Sequence, residues 1–190
     1  MKASISSAVG RAIYIFVLYF VAHGITSLFV FPAQTYLLGT TSFFASLIYL
    51  PHGVRILSTW LFGWRAILPL FVAEYTSQVF FLPEDALATI RPDLIVSSLI
   101  GAVSGFLAFT VLHFAGGNFS FGKSSKASWT LLLVAGGIAS AFNSIGQSIL
   151  YSDSIAAADL ALVLVIYALG DLLGLFICML LMMKVFQWVR

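Results

Sequence analysis

An all-α, polytopic bundle of about six transmembrane helices, one of them broken near Pro51, is the fold this sequence predicts. Three observations point to it. Hydrophobic residues make up 61% of the 190-residue chain and charged residues only 8%, far from the roughly 45–50% and about 25% of soluble domains. Apolar stretches of the roughly 20 residues needed to cross a hydrocarbon core about 30 Å thick recur along the chain. Lysine and arginine gather at one set of stretch ends, as expected of cytoplasmic loops. Residues 1–190 therefore read as a single transmembrane domain, with no room for a separate soluble catalytic domain. The net charge of +2 is small and scattered, unlike the clustered basic face of a nucleic-acid-binding protein, so nucleic acid is set aside as a partner. Cys178 is the single cysteine; it excludes an intrachain disulfide and reads as a small apolar packing residue.

The first stretch, residues 12–31, follows the basic segment MKASISSAVGR. It exceeds the roughly 7–15 residues of a cleavable signal core and is expected to remain as a helix. The second stretch, residues 34–62, is interrupted by YLPHGV. A proline restricts its predecessor and lacks an N–H, so Pro51, His52 and Gly53 are expected to mark a broken or re-entrant element. RAILPLFVAEYTSQVFF then crosses back and leads into the charged loop LPEDALATIRPD. Residues 94–115, 129–150 and 160–183 complete the set, with the Gly/Ser-rich connector GGNFSFGKSSKA between the first two. With the N-terminus inside, Lys2, Arg11, Arg65, Lys123, Lys126, Lys184 and Arg190 are all cytoplasmic and only Arg91 is external. Glu84, Asp85, Asp93, Asp153 and Asp159 sit in or beside external loops, and Trp60, Trp64, Trp129 and Trp188 fall near the cytoplasmic interface. Both termini are thus expected on the cytoplasmic side. Small residues recur at Ser97, Gly101 and Gly105, at Gly137 and Ala141, and at Gly170 and Gly174. Such faces suit close packing inside the bundle or a partner protein, and the sequence leaves both open.

Ionisable groups at membrane depth cost roughly 2.5–3.5 kcal/mol on insertion scales, so they are expected to face the protein interior as paired contacts or functional groups. Arg65, beside Trp64, is a boundary residue. Glu74 lies about 13 Å further along a helix, near the midplane. Ser77 and Gln78 share its face. Asp171 is about 20 Å from Lys184 and is equally deep. Arg55 is placed to meet Glu74 or Asp171, either as a register-fixing ion pair or as a planar fork for an anionic group. Ser140, Asn143, Ser144 and Gln147 follow the helical i, i+3, i+4, i+7 pattern and gather on one face, for interhelical hydrogen bonding or for lining a polar cavity. His23 reads as a neutral core residue and His113 as interfacial. HExxH, GxSxG, Walker and GxGxxG motifs are absent from the sequence, and the expectation is a protein that is not an enzyme. No cofactor is specified.

Two segments carry a family resemblance. LPHGVRILSTWLFGWRAILPLFVAE is similar to the PPxGIALAxLLLxGxRxWPxxxLGA region of the MASE1 family of bacterial membrane-integral sensory domains, matching at Pro51, Gly53, Leu57, Leu61, Gly63, Arg65 and Pro69. LGDLLGLFICMLLM resembles that family's GDxLGxLLVTPLLL segment at Gly170, Asp171, Leu173 and Gly174. His52, Val54, Arg55 and Leu68 depart from the pattern. The resemblance implies a sensory or small-ligand-binding core in a bacterial inner membrane, in contact with lipid, acting through a separate partner protein. A small polar or anionic ligand is compatible with Arg55, Glu74, Gln78, Asn143, Gln147 and Asp171. Two alternatives stay open: a structural or assembly subunit of a membrane complex, and the substrate-binding subunit of a vitamin-type transporter.

Overall fold

The computed structural model describes residues 2–38, 46–84, 87–88, 91–116, 128–151 and 160–188, and every regular element among them is helical. Helix α1 (Lys2–Ile25) passes through a π-helical turn (Thr26–Val30) directly into α2 (Phe31–Leu38). Pro32 is the physical cause. It has no N–H to give Leu28 and its ring would crowd that carbonyl; widening the preceding turn, with the Phe31 N–H on the Thr26 carbonyl, accommodates both problems. The first apolar helical stretch therefore runs to Leu37 rather than stopping near residue 31.

Residues 46–49 are non-helical and lead into α3 (Leu50–Phe62). Pro51 sits in the first turn of α3, where its missing N–H has no intrahelical partner to lose. This corrects the expected break: Pro51, His52 and Gly53 begin a helix, and the interruption lies just upstream. The Leu50 N–H donates to Thr26 Oγ1 at 3.3 Å, so the π-turn supplies the hydroxyl that caps α3. The Leu47 N–H donates to Gln34 Oε1 at 2.7 Å.

A tight turn (Gly63–Ala66) follows, opened by Gly63 at φ 59°, a conformation natural to glycine. Helix α4 (Ile67–Phe81) then runs back. Arg55 and Glu74 stand at equal sequence distance from this turn and touch at 3.1 Å, whereas one continuous helix would hold them about 28 Å apart. Leu50–Phe81, apolar enough to count as one span, is a helical hairpin. Helix α1 runs beside both arms: Arg11 lies over the Phe62 ring at 6.0 Å near the turn, and His23 meets Tyr49 and Phe81 at the opposite end.

Helices α5 (Leu94–Phe114), α6 (Trp129–Leu150) and α7 (Leu160–Trp188) complete the bundle. Neighbours follow the order α1, α4, α5, α6, α7, α3 and back to α1, with α3 also reaching α5 and α6. Five long apolar helical stretches are found among the described residues, against the six expected. Their polarity is inverted relative to a soluble protein. On α4, Leu68, Val72, Tyr75 and Val79 face outward while Glu74, Ser77 and Gln78 are buried, as a lipid surround requires. Lys123, Lys126, Arg190, Asp85, Asp153 and Asp159, which carry part of the charge asymmetry, lie outside the described residues.

Candidate functional site: a membrane-depth cavity over a buried ion pair

Glycine makes room for the site. A Cβ at Gly101 would occupy the position of the Glu74 carboxylate, and one at Gly105 would press on Thr59 Oγ1 and approach the Arg55 stem at 3.6 Å. The small-residue face of α5 therefore accommodates an ion pair as well as bringing helices together. Arg55 Nη2 donates to Glu74 Oε1 at 3.2 Å and to Oε2 at 3.1 Å, and reaches the Tyr19 hydroxyl at 3.4 Å. Tyr19 in turn lies 3.5 Å from the Tyr49 hydroxyl. Arg55 and Glu74 are both buried. The other guanidinium nitrogens, Nε and Nη1, are buried and have no hydrogen-bond acceptor among the described residues.

Above this pair is a cavity of about 360 Å³, towards the lower end of the roughly 300–1,000 Å³ typical of ligand sites. Arg55, Glu74 and Gln78 line it from the hairpin, and Ser97, Asn143 and Gln147 from α5 and α6. Its remaining wall is largely aromatic, with His23, Phe31, Tyr49, Phe81, Tyr151 and Tyr167. Thr26, Ser27 and Pro32 come from the π-turn region, and Leu82 and Pro83 lie where α4 ends. The α5–α6 wall is locked by a reciprocal pair: Ser97 Oγ donates to Gln147 Oε1 at 3.0 Å, and Gln147 Nε2 donates to the Ser97 carbonyl at 3.1 Å. Asn143 Oδ1 is buried without a donor among the described residues.

Five of the six expected site residues, Arg55, Glu74, Gln78, Asn143 and Gln147, surround one space. Asp171 does not. Its Oδ2 contacts His52 Nδ1 at 3.3 Å, both residues being buried, and neither lines the cavity. His52 Nε2 lies 3.2 Å from the Gly136 carbonyl, an acceptor, so that nitrogen carries the hydrogen. Nδ1 faces the Asp171 carboxylate across this contact without completing a hydrogen bond to it. His52, placed in the sequence reading only at the break, is thus the partner Asp171 required. Ser140 and Ser144 are buried on the polar face of α6 but do not line the cavity.

Backbone packing seals this second pair. The Tyr49 N–H bonds the Gly170 carbonyl at 2.9 Å; a Cβ at Gly170 would strike the Ser46 carbonyl, and one at Gly174 the Tyr49 carbonyl. Gly53 is pinned likewise, 2.6 Å from its would-be Cβ to Cys178 Sγ. The glycines of α7 therefore seat the segment leading into α3. On α6 the packed glycine is Gly136, against Leu175, while Gly137 has open space around it. Sequence reasoning missed Tyr19, Thr26, Tyr49, Tyr151 and Tyr167; Pro32, near the end of an apolar run, was the available signal for the π-turn. No three His, Cys, Asp or Glu residues gather as a metal site among the described residues. No protein-family model, curated protein or solved structure matches the chain.

Proposed function

We propose that this protein is a membrane-embedded small-ligand-binding module, of a sensory kind, that passes its state to a separate partner protein. The observation that carries the reading is the cavity over Arg55 and Glu74, with convergent polar groups on an otherwise aromatic wall. A purely structural subunit has reason to fill such a space with side chains and to satisfy its polar atoms internally. Here Arg55, Glu74, Gln78, Asn143 and Gln147 converge on open space instead. The two segments that resemble the bacterial sensory family also meet, through His52 and Asp171 and through Gly53 against Gly174.

In this reading the two arms of the hairpin each cross the bilayer, giving six passes in a bacterial inner membrane with both termini cytoplasmic, in line with the lysine and arginine distribution. The cavity faces the other side, because its rim is formed near Leu82, Pro83 and Tyr151 while Trp64 and Arg65 mark the hairpin turn. Native mass spectrometry of the full chain purified in mild detergent tests the proposal. A co-purifying small molecule that is lost on Arg55→Ala supports it; stoichiometric membrane-protein partners with no small molecule would favour an assembly subunit. Uptake by proteoliposomes that depends on a co-purified energising partner would assign the same cavity to a transporter subunit.

A further inference from the structure

The charges that line the cavity define what it can hold. Arg55 and Glu74 are the only charged residues lining it among the described residues, and their contacts at 3.1 and 3.2 Å make the floor neutral as a unit. His23, which also lines it, is enclosed by the rings of Tyr19, Tyr49 and Phe81 rather than by a carboxylate, so it adds no fixed charge. Bringing a net anion or cation into such a space removes its hydration without supplying a counter-charge, which is costly in a low-dielectric interior. A neutral guest avoids this.

Both Glu74 oxygens already accept from Arg55 Nη2, and Gln147 is engaged with Ser97. The aromatic wall, including Tyr49, Phe81 and Tyr167, favours a flat ring that can pack edge-on or offset against it.

Resting on the ligand-binding reading above, we infer that the cavity recognises a net-neutral, flat ring compound and discriminates against anions and cations of the same shape. This narrows the polar or anionic ligand expected from the sequence: Arg55 is not a free anion fork, because Glu74 already neutralises it.

An isosteric series that differs only in charge tests the inference: naphthamide, naphthoate and naphthamidinium, each titrated against the purified full chain in detergent and read by the rise in unfolding temperature that binding to the native state produces. The expected result is that naphthamide binds at least about tenfold more tightly than either charged analogue. Glu74→Gln leaves the Arg55 charge unbalanced and should move the preference to naphthoate. Naphthoate or naphthamidinium matching naphthamide on the unsubstituted chain overturns the inference, as does the failure of all three to bind, and this arm needs no variant to fold. If no probe binds yet a small molecule co-purifies, the ligand class is wrong and the binding reading stands; with neither, both fall.

Discussion

Arg55 and His52 lie one turn apart on α3, and each meets a carboxylate from another helix, Glu74 on α4 and Asp171 on α7. Their surroundings differ. The His52–Asp171 pair is enclosed where glycines bring backbone onto backbone, away from the cavity, with His52 Nε2 on the Gly136 carbonyl. The Arg55–Glu74 pair borders a cavity. Depth in the membrane therefore does not by itself separate structural from functional charge. What separates them is whether the pair borders open space or is closed off by packed backbone.

The largest effect expected on this comparison comes from the seal. Gly174→Leu drives a side chain into the Tyr49 carbonyl and should abolish monodisperse protein on size-exclusion chromatography, whereas Gly137→Leu, with open space, should leave the yield unchanged. Next in size, Asp171→Ala isolates His52 and should cost about 1–3 kcal/mol, with His52→Leu in the same chain restoring much of it, because removing both members leaves no polar side chain without its partner. Reversible unfolding in mixed micelles measures both, and ligand retention should follow stability alone. Arg55→Met with Glu74→Leu should likewise recover most of the stability lost in Arg55→Met, yet should not regain the ligand. A double variant that still binds would erase the distinction between the two pairs. Gln147→Leu is the mildest change: losing its bonds with Ser97 should cost about 1–3 kcal/mol, seen as a lowered unfolding temperature.

The all-helical membrane fold was legible because the bilayer imposes length and apolarity on every helix long enough to cross it, and composition reports both directly. The five cavity residues were legible for a related reason. A charge or amide within an apolar run has few acceptable directions, and helical spacing put Glu74 with Gln78 and Asn143 with Gln147. Asp171, expected as a ligand-binding or ion-pair residue, pairs with His52 rather than Arg55, because depth along a helix gives no rotation about it relative to a neighbour; Arg55 and His52 differ by less than one turn, and only packing decides which of them faces α7. The break near Pro51 was misread because a proline serves a first turn as well as it ends a helix, and the deciding feature was the Thr26 hydroxyl waiting on another element. The aromatic wall was invisible for a further reason: tyrosines and phenylalanines are spread through the whole chain, and nothing in their spacing shows which ones converge.

Asn143 and Ala139 lie one turn apart on α6, one lining the cavity and the other fully buried in the core with Ile56 and Phe109. Cysteine placed at each, in a Cys178→Ala background and in detergent-purified protein, can be challenged with a small water-soluble methanethiosulfonate reagent. The account predicts that Asn143→Cys is modified and is protected by naphthamide, while Ala139→Cys stays unmodified until the protein is unfolded. Equal modification of the two, or a native Asn143→Cys that resists the reagent, would contradict the claim that Arg55 and Glu74 form the floor of a cavity open to a ligand.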